Sequence, residues 1–386
     1  MSLAALTRLQ LGLAALKADH LERRRLLLDG TQGAHVTING QRVISFCSND
    51  YLGLAADPAL IRAAHTALDQ CGVGTGAAHL ITGHHRFHQD FEMAFAAFVG
   101  KPAALLFSTG YMANLGVLTS LCDRHSEVFA DKLNHASLVD AAKLSAAVFT
   151  RYRHLDLTQL EGQLERSTAQ EKLIVSDLVF SMDGDVAPVD ALLDLAERYD
   201  AWLYLDDAHG FGVLGDGHGG LTGRARASDR VIYLATLGKA AGVSGAAVAA
   251  HASVIDWLLQ KARAYVYTTA SPPLLAACLL ESLRQIDAGE TRRARLQGHI
   301  RQLREGLAAL NFGRLMPSDT PIQPLVIGTN ADTVRRSQRL LERGLLVPAI
   351  RTPTVPVNTA RLRITLSAAH TSDDIAQLIE GLHAVV

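Results

Sequence analysis

"RVIYLATLGKAAGVSGAA", residues 230–247, decides how this chain folds. Its opening, "RVIYLA", has the branched and aromatic residues that suit a strand. It runs directly into "TLGK", a loop that sets one lysine, Lys239, in a bed of Gly, Ala, Val and Ser with no acidic residue beside it. The same pattern, a short apolar run ending in a polar or glycine-rich loop, recurs at "AALLF" (103–107), "KLIVSDLVF" (172–180) and "AWLYL" (201–205), with amphipathic helical stretches in between. Strands alternating with helices predict an α/β fold on a largely parallel sheet. Ligands of such sheets bind at the carboxyl ends of the strands, so the loops after these four runs are where chemistry is expected.

With 386 residues, 48% of them hydrophobic, the chain can bury a large core divided into two or three subdomains. Lys and Arg (37) balance Asp and Glu (38), which leaves no global field to attract nucleic acid or an anionic membrane surface. Cys47, Cys71, Cys122 and Cys278 are scattered without a Cys-x-x-Cys pair. That spacing argues against a zinc site or a disulfide framework and points to a reducing compartment, the cytoplasm by default. Leu3, Leu6, Leu9, Leu13 and Leu16 recur at helical spacing before a charged stretch, which reads as an amphipathic docking helix and not a signal peptide. No apolar run approaches the roughly 18 residues needed to cross a bilayer. From about residue 288 a charged helix, "ETRRARLQGHIRQLREGLAAL", opens a smaller α+β region that includes "IQPLVIG" and "RLRITLS". The expected organisation is an N-terminal helix and strand segment (1–45), a large domain (46–287) and a small α+β domain (288–386).

Four loops carry candidate chemistry. After "AALLF", Ser108, Thr109 and Gly110 precede a helix whose first N–H groups make an anion site at Thr109, Gly110 and Tyr111; an ordinary Ser/Thr helix cap is the plainer alternative. After "AWLYL" comes "DDAHG". A carboxylate at the end of an apolar strand needs a partner, so Asp206 is expected to face a buried cation or a ring N–H, with His209 in reach of the same ligand and Asp207 capping the next segment. After "KLIVSDLVF", Ser181 offers a hydroxyl, while Asp183 and Gly184 are turn residues. In "TLGK", Thr236 can meet a phosphate and Lys239 can form a Schiff base; a lone lysine that snorkels to solvent is the commoner case. One cofactor uses an imine-forming lysine, an acidic partner for a pyridine nitrogen, and hydroxyls with a helix start for a phosphate. It is pyridoxal phosphate. His135 in "DKLNHASLVDAA" is the candidate to stack on its ring.

Competing signals are weaker. Gly210/Gly212/Gly215 and Gly215/Gly217/Gly220 match Gly-x-Gly-x-x-Gly, but "LTGRARASD" follows where a dinucleotide fold needs an apolar helix. In "GHHRFHQDFE", His84 and His88 stand four apart with Glu92 further on, without the His-Glu-x-x-His acid or an evident third ligand. That stretch reads as a solvated helix face, and no metal is assigned. No Gly-x-Ser-x-Gly elbow is present.

These motifs in this order resemble the α-oxoamine synthases, fold-type I pyridoxal phosphate enzymes that join an amino acid to an acyl thioester with loss of carbon dioxide. The resemblance runs from "SFCSNDYLGL" (45–54) through "GVGTGAAHLITG" (72–83), "LNHASL" (133–138), "VFSMDGD" (179–185), "DDAHGFGVLG" (206–215) and "TLGKAAGVSGAA" (236–247) to "RLRITLSAAHT" (361–371). It implies a transferase with a mostly parallel seven-stranded sheet in the large domain. It also implies Lys239 as the Schiff-base lysine, Asp206 on the pyridinium nitrogen, His209 near the ring hydroxyl, His135 stacked on the ring and Ser181 as a further ring contact. Thr109, Gly110, Tyr111 and Thr236 would hold the phosphate, and "YVYTTASPP" (265–273) implies that Thr268 or Thr269 completes the phosphate site of a partner subunit in a homodimer. Arg363 would fork onto the amino-acid carboxylate and Asn49 would lie near the substrate. Arg23 would meet an acyl carboxylate, or else end a solvated basic helix.

"IQPLVIG" and "VPAIRTPTVPVNTARLRITLSAAHT" look most like the biotin-pathway branch, which condenses L-alanine with pimeloyl thioester on coenzyme A or an acyl carrier protein. Rival readings are another oxoamine synthase using glycine or making a long-chain amino ketone, a pyridoxal phosphate transaminase, and a non-catalytic binding paralogue. Two departures from the family pattern stand out. Asp177 stands where relatives often have Glu, and Ala77 and Ala78 where many have Gly and Ser or Thr.

Overall fold

The four predicted strands all form and all belong to one sheet. The structure, a computed structural model, describes residues 3–19, 21–23, 25–308 and 312–385. It divides into two compact units, one of Asn49–Ser181 and Asp185–Arg295, the other of Met1–Ser48, Met182–Gly184 and Leu296–Val386.

In the first unit the strands are β1 (Ala103–Phe107), β2 (Ser126–Asp131), β3 (Val148–Tyr152), β4 (Glu171–Asp177), β5 (Trp202–Asp206), β6 (Val231–Thr236) and β7 (Ala246–Ala250). They lie in the order β1-β7-β6-β5-β4-β2-β3. β7 runs antiparallel to both neighbours, and β6, β5, β4, β2 and β3 are mutually parallel. Central strands of such a sheet are covered on both faces and so read as continuous apolar runs, not alternations. Val231–Ala235 and Ala246–Ala250 are buried throughout. β7, "AAVAA", was not among the predicted strands because alanine has low β propensity. It earns its place by packing, since Ala246, Val248 and Ala250 share one apolar cluster with Leu105, Phe107 and Leu234. β4 stops at Asp177, three residues before its predicted end, and Asp177 is the register partner of Asp206 across the β4–β5 pair.

Two helices start at strand ends that matter for the site. α1 (Gly110–Leu121) follows β1 and is capped by Thr109, whose hydroxyl accepts the Met112 N–H at 3.1 Å. α2 (Ala136–Leu144) follows β2 and is capped by His135, which accepts the Ser137 N–H.

The second unit joins the two ends of the sequence. Gln41–Ser45 pairs antiparallel with His35–Ile38 and parallel with Leu345–Leu346. A second, antiparallel sheet is centred on Ile322–Gly328 and Ala360–Thr365. The N-terminal helix forms over Ala4–Ala18 with its leucines exposed. Among the described residues no helix is long and apolar enough to cross a membrane.

Candidate active site

The carboxyl ends of β4, β5 and β6 bring Asp177, Asp206 and Lys239 to one place. Lys239 lies half-buried just after β6, and its Nζ is 2.9 Å from His209 Nε2. His209 is buried, with its Nδ1 2.5 Å from the Tyr51 hydroxyl, which donates to Asn49 Oδ1 at 3.2 Å. His209 thus stands between the Tyr51 hydroxyl at Nδ1 and the Lys239 amine at Nε2. Lys239, His209, Tyr51 and Asn49 form one chain of hydrogen bonds that sets the imidazole and holds the amine.

Asp206 is 4% exposed, and its carboxylate accepts from Asn114 Nδ2 at 2.9 Å and from the Ala208 N–H at 3.1 Å. Both donors are uncharged, which leaves the carboxylate able to take a cationic ring N–H as a further donor. Asp177 accepts the His135 N–H at 2.6 Å. Burial, then the neighbouring Asp206 charge, pushes the Asp177 carboxyl well above its usual range. His135 is held below the ordinary histidine value by desolvation, with Asp206 opposing that shift and Lys239 adding to it. Asp207 is fully buried, accepts from Tyr233 Oη and the Gly220 N–H, and is pushed up to about 7 by burial.

The Ser/Thr helix cap forms, with Thr109 as the capping residue at the start of α1. A Cβ at Gly110 would stand 2.8 Å from Thr236 Oγ1, so the start of α1 and the end of β6 meet closely, and a side chain at position 110 would have to shift Thr236. Tyr111 turns its hydroxyl to Asp140 at 2.6 Å, leaving its backbone N–H at the helix start. Ser181 is half-buried beyond β4. Thr269 lines a small cavity of about 290 Å³ together with Ser108, Ser244 and Gly245, while Thr268 is half-buried beside it in sequence.

Arg363 and Arg23 belong to the other unit. Arg363 is 6% exposed and donates to Thr365 Oγ1 at 2.9 Å. Arg23 borders a cavity of about 660 Å³ with Leu13, Leu16, Arg351 and Thr354.

Two expectations need correction. The "GHHRFH" stretch is not a solvated helix face, because His88 and Glu92 are buried, and His84 precedes the helix Arg86–Val99. A third histidine also exists. His79 lies with its Nδ1 3.1 Å from His84 Nδ1, and ring nitrogens of His79, His84 and His88 fall within 4.8 Å of one another. His88, however, donates from Nε2 to the Ser271 carbonyl and accepts the His85 N–H at Nδ1, so both its nitrogens are committed to the backbone. Burial holds His79 down at about 3 and His88 at about 4, which keeps both rings neutral.

A second histidine device is structural. His154 bridges Asp131 at 3.0 Å and Asp185 at 2.6 Å. Burial would lower its pKa, but the hydrogen bonds and charges of the two carboxylates outweigh that and push it up to about 10. A raised folded-state value means that the bridge contributes fully below the ordinary histidine value near 6.5 and is lost as pH climbs through about 10. The melting-point gap between the wild type and His154→Gln is therefore expected to be widest near pH 6 and to close by pH 10.5. A gap that stays constant across that range would contradict the bridge.

Residues 41–382 match the sequence profile of the aminotransferase class I and II family, and the chain belongs to that family of fold-type I enzymes. Within it, the chain is 73% identical to the 8-amino-7-oxononanoate synthase of Thiobacillus denitrificans over 383 residues, 99% of each chain. Its fold is similar to that of a serine palmitoyltransferase from S. paucimobilis solved with bound PLP–myriocin aldimine (TM-score 0.91, 28% identity, covering 100% of this chain and 98% of that one). It is also similar to the 8-amino-7-oxononanoate synthase of Francisella tularensis (TM-score 0.77, 33% identity, 89% and 97% covered).

Proposed function

We propose that this chain is a pyridoxal-phosphate-dependent acyltransferase that condenses L-alanine with a pimeloyl thioester to give 8-amino-7-oxononanoate, carbon dioxide and the free thiol, a step of biotin synthesis. The observation that carries this reading is that Lys239, held by His209, comes to the same strand ends as the buried Asp206 carboxylate, which accepts from the Asn114 amide and the Ala208 N–H. The 73% identity to a synthase of that name supports the choice within the family.

The residues present fit the cofactor: a helix start at Gly110 set against the Thr236 hydroxyl for a phosphate, a buried carboxylate for the ring nitrogen, and an amine just after β6. When bound, pyridoxal phosphate supplies an electron-withdrawing pyridinium ring conjugated to the amino group of the substrate. Thr109, Gly110, Tyr111 and Thr236 would hold its phosphate, and Thr268 or Thr269 would complete the phosphate site of a second subunit in a homodimer. Asp206 would keep the proton on the ring nitrogen, His135 would stack on the ring, His209 would lie near the ring hydroxyl and Ser181 would add a further ring contact. Lys239 would take the Cα proton of L-alanine as general base, and a proton is restored after the acyl group has joined and carbon dioxide has left. Arg363 binds the alanine carboxylate, with Asn49 near the substrate and Arg23 toward the acyl carboxylate. A reducing cytoplasmic setting goes with this reading, supported by four free cysteines.

Gly110→Ala is expected to weaken cofactor binding about tenfold or more, since the new methyl group must displace Thr236. Fluorescence titration of the apoprotein with pyridoxal phosphate measures this, and an affinity within twofold of the wild type would remove Gly110 from the phosphate site. The reaction itself is tested by thiol release with L-alanine, glycine and L-serine against acyl thioesters of graded length. L-Alanine with the pimeloyl donor should give the highest kcat/KM. A preference for glycine with a short acyl donor would move the assignment to a sister enzyme.

A further inference from the structure

One polar side chain buried inside the first unit has no part in the roles above. Asn114 is 1% exposed on α1, in an otherwise apolar stretch. Its Nδ2 donates to Asp206 Oδ2 at 2.9 Å and to Ser137 Oγ at 2.8 Å, while its Oδ1 accepts from the Tyr204 hydroxyl at 2.6 Å. Ser137 Oγ lies 2.7 Å from His135 Nδ1. Having accepted from Asn114, the Ser137 hydroxyl directs its own proton to that nitrogen. The result is a branched chain: Tyr204 to Asn114, Asn114 to Asp206, and Asn114 through Ser137 to His135.

The orientation of the amide is determined by its neighbours. A carboxylate only accepts, so the NH₂ end must face Asp206, and the oxygen end then needs a donor in a place water does not reach. Tyr204 supplies it. Tyr204 and Asp206 are two apart on β5 and so project from the same face of the sheet. Burial, then the charges of Asp206 and Asp177, hold the Tyr204 phenol well above its ordinary value, so it remains a donor at every working pH.

We propose that Asn114, oriented by Tyr204, is a positioning residue that aims the Asp206 carboxylate, concentrates negative charge on Asp206 and not on its strand neighbour Asp177, and ties Asp206 to the His135 ring through Ser137. The inference rests on the reading of Asp206 as the ring-nitrogen partner. Two buried carboxylates in register cannot both carry full charge cheaply. Asp206 receives the Asn114 amide and a backbone N–H, whereas Asp177 receives the His135 N–H. The other charged groups acting on Asp177 are Lys239 beyond β6 and Asp131 at the end of β2. Lys239 and Asp140 join Asp206 in acting on His135. Asn114 is the side chain that connects Asp206 and His135, so its loss changes the charge seen by the cofactor without removing any group that touches substrate.

The test uses the holoenzyme and four proteins: wild type, Asp206→Asn, Asn114→Leu and Tyr204→Phe. The readouts are the pH midpoint of the cofactor's visible band and the split of kcat from KM for L-alanine. A ring nitrogen that has lost its proton withdraws less, so the lysine-bound nitrogen becomes more basic and the midpoint rises. Asn114→Leu should raise it by about one unit and lower kcat about 10- to 100-fold with KM little changed, the effect of removing one hydrogen bond to a charged group. Tyr204→Phe should shift the midpoint the same way by less. A midpoint unchanged in both variants, with Asp206→Asn shifted, overturns the positioning role and leaves the reading of Asp206 intact. Should Asp206→Asn itself leave the band unmoved, the underlying reading fails first. If Asn114→Leu does not fold, Tyr204→Phe decides alone, because it removes one hydroxyl and little volume.

Discussion

Lys239→Ala is expected to abolish turnover, lowering kcat by ~10⁴-fold or more, while the protein stays folded. The loss combines two effects, removal of the general base and removal of the amine that tethers the cofactor; positioned proton transfer alone is worth roughly 10²–10⁴. Lys239 is half-buried in a loop after β6 and fills no core position, so the melting temperature should change by no more than a few degrees. His209 would lose the amine at its Nε2, but its Nδ1 contact to Tyr51 remains. Steady-state kinetics with a circular-dichroism melt checks both halves. Retained turnover in a folded variant would remove Lys239 from the chemistry.

Asp206→Asn is expected to cost about 10²- to 10³-fold in kcat/KM, the scale of leaving a buried charge without its counter-charge. An amide in that position can still accept the Ala208 N–H at 3.1 Å, so the start of the following segment survives. It cannot hold a proton on a ring nitrogen, and where the carboxylate now accepts from Asn114 the two amides must compete for orientation. The variant should therefore fold, bind cofactor less tightly and react slowly with every amino acid. An unaltered kcat/KM would refute the role given to Asp206.

Much of this site could be read along the chain, because strand-end loops carry it. Asp206, His209, Thr236 and Lys239 each sit within a few residues of a recognisable apolar run. What escaped the sequence depends on contacts between elements. Tyr51 joins His209 across 158 positions, and no local pattern signals that. Asn114 was visible as an odd polar residue in the apolar stretch "YMANLGVL", yet its partners on β5 emerge only when α1 packs on the sheet. Tyr204 could have been found from its spacing, two before Asp206 on the same strand face. His79 could not, since the histidine cluster is closed by a single π-helical turn, His79–Gly83, and not by a standard helix. Alanine-rich β7 hid for a related reason: its strand state comes from the neighbours it packs against and not from its own residues.

The most direct test of the account is a visible absorption spectrum of the purified protein, titrated with L-alanine, then glycine, then pimeloyl thioester. A cofactor band is expected that responds to L-alanine at lower concentration than to glycine, with a further long-wavelength change that rises only when the thioester is added. A spectrum that bleaches with an amino acid alone, as a transaminase would give, or one with no visible band after reconstitution with pyridoxal phosphate, would contradict it.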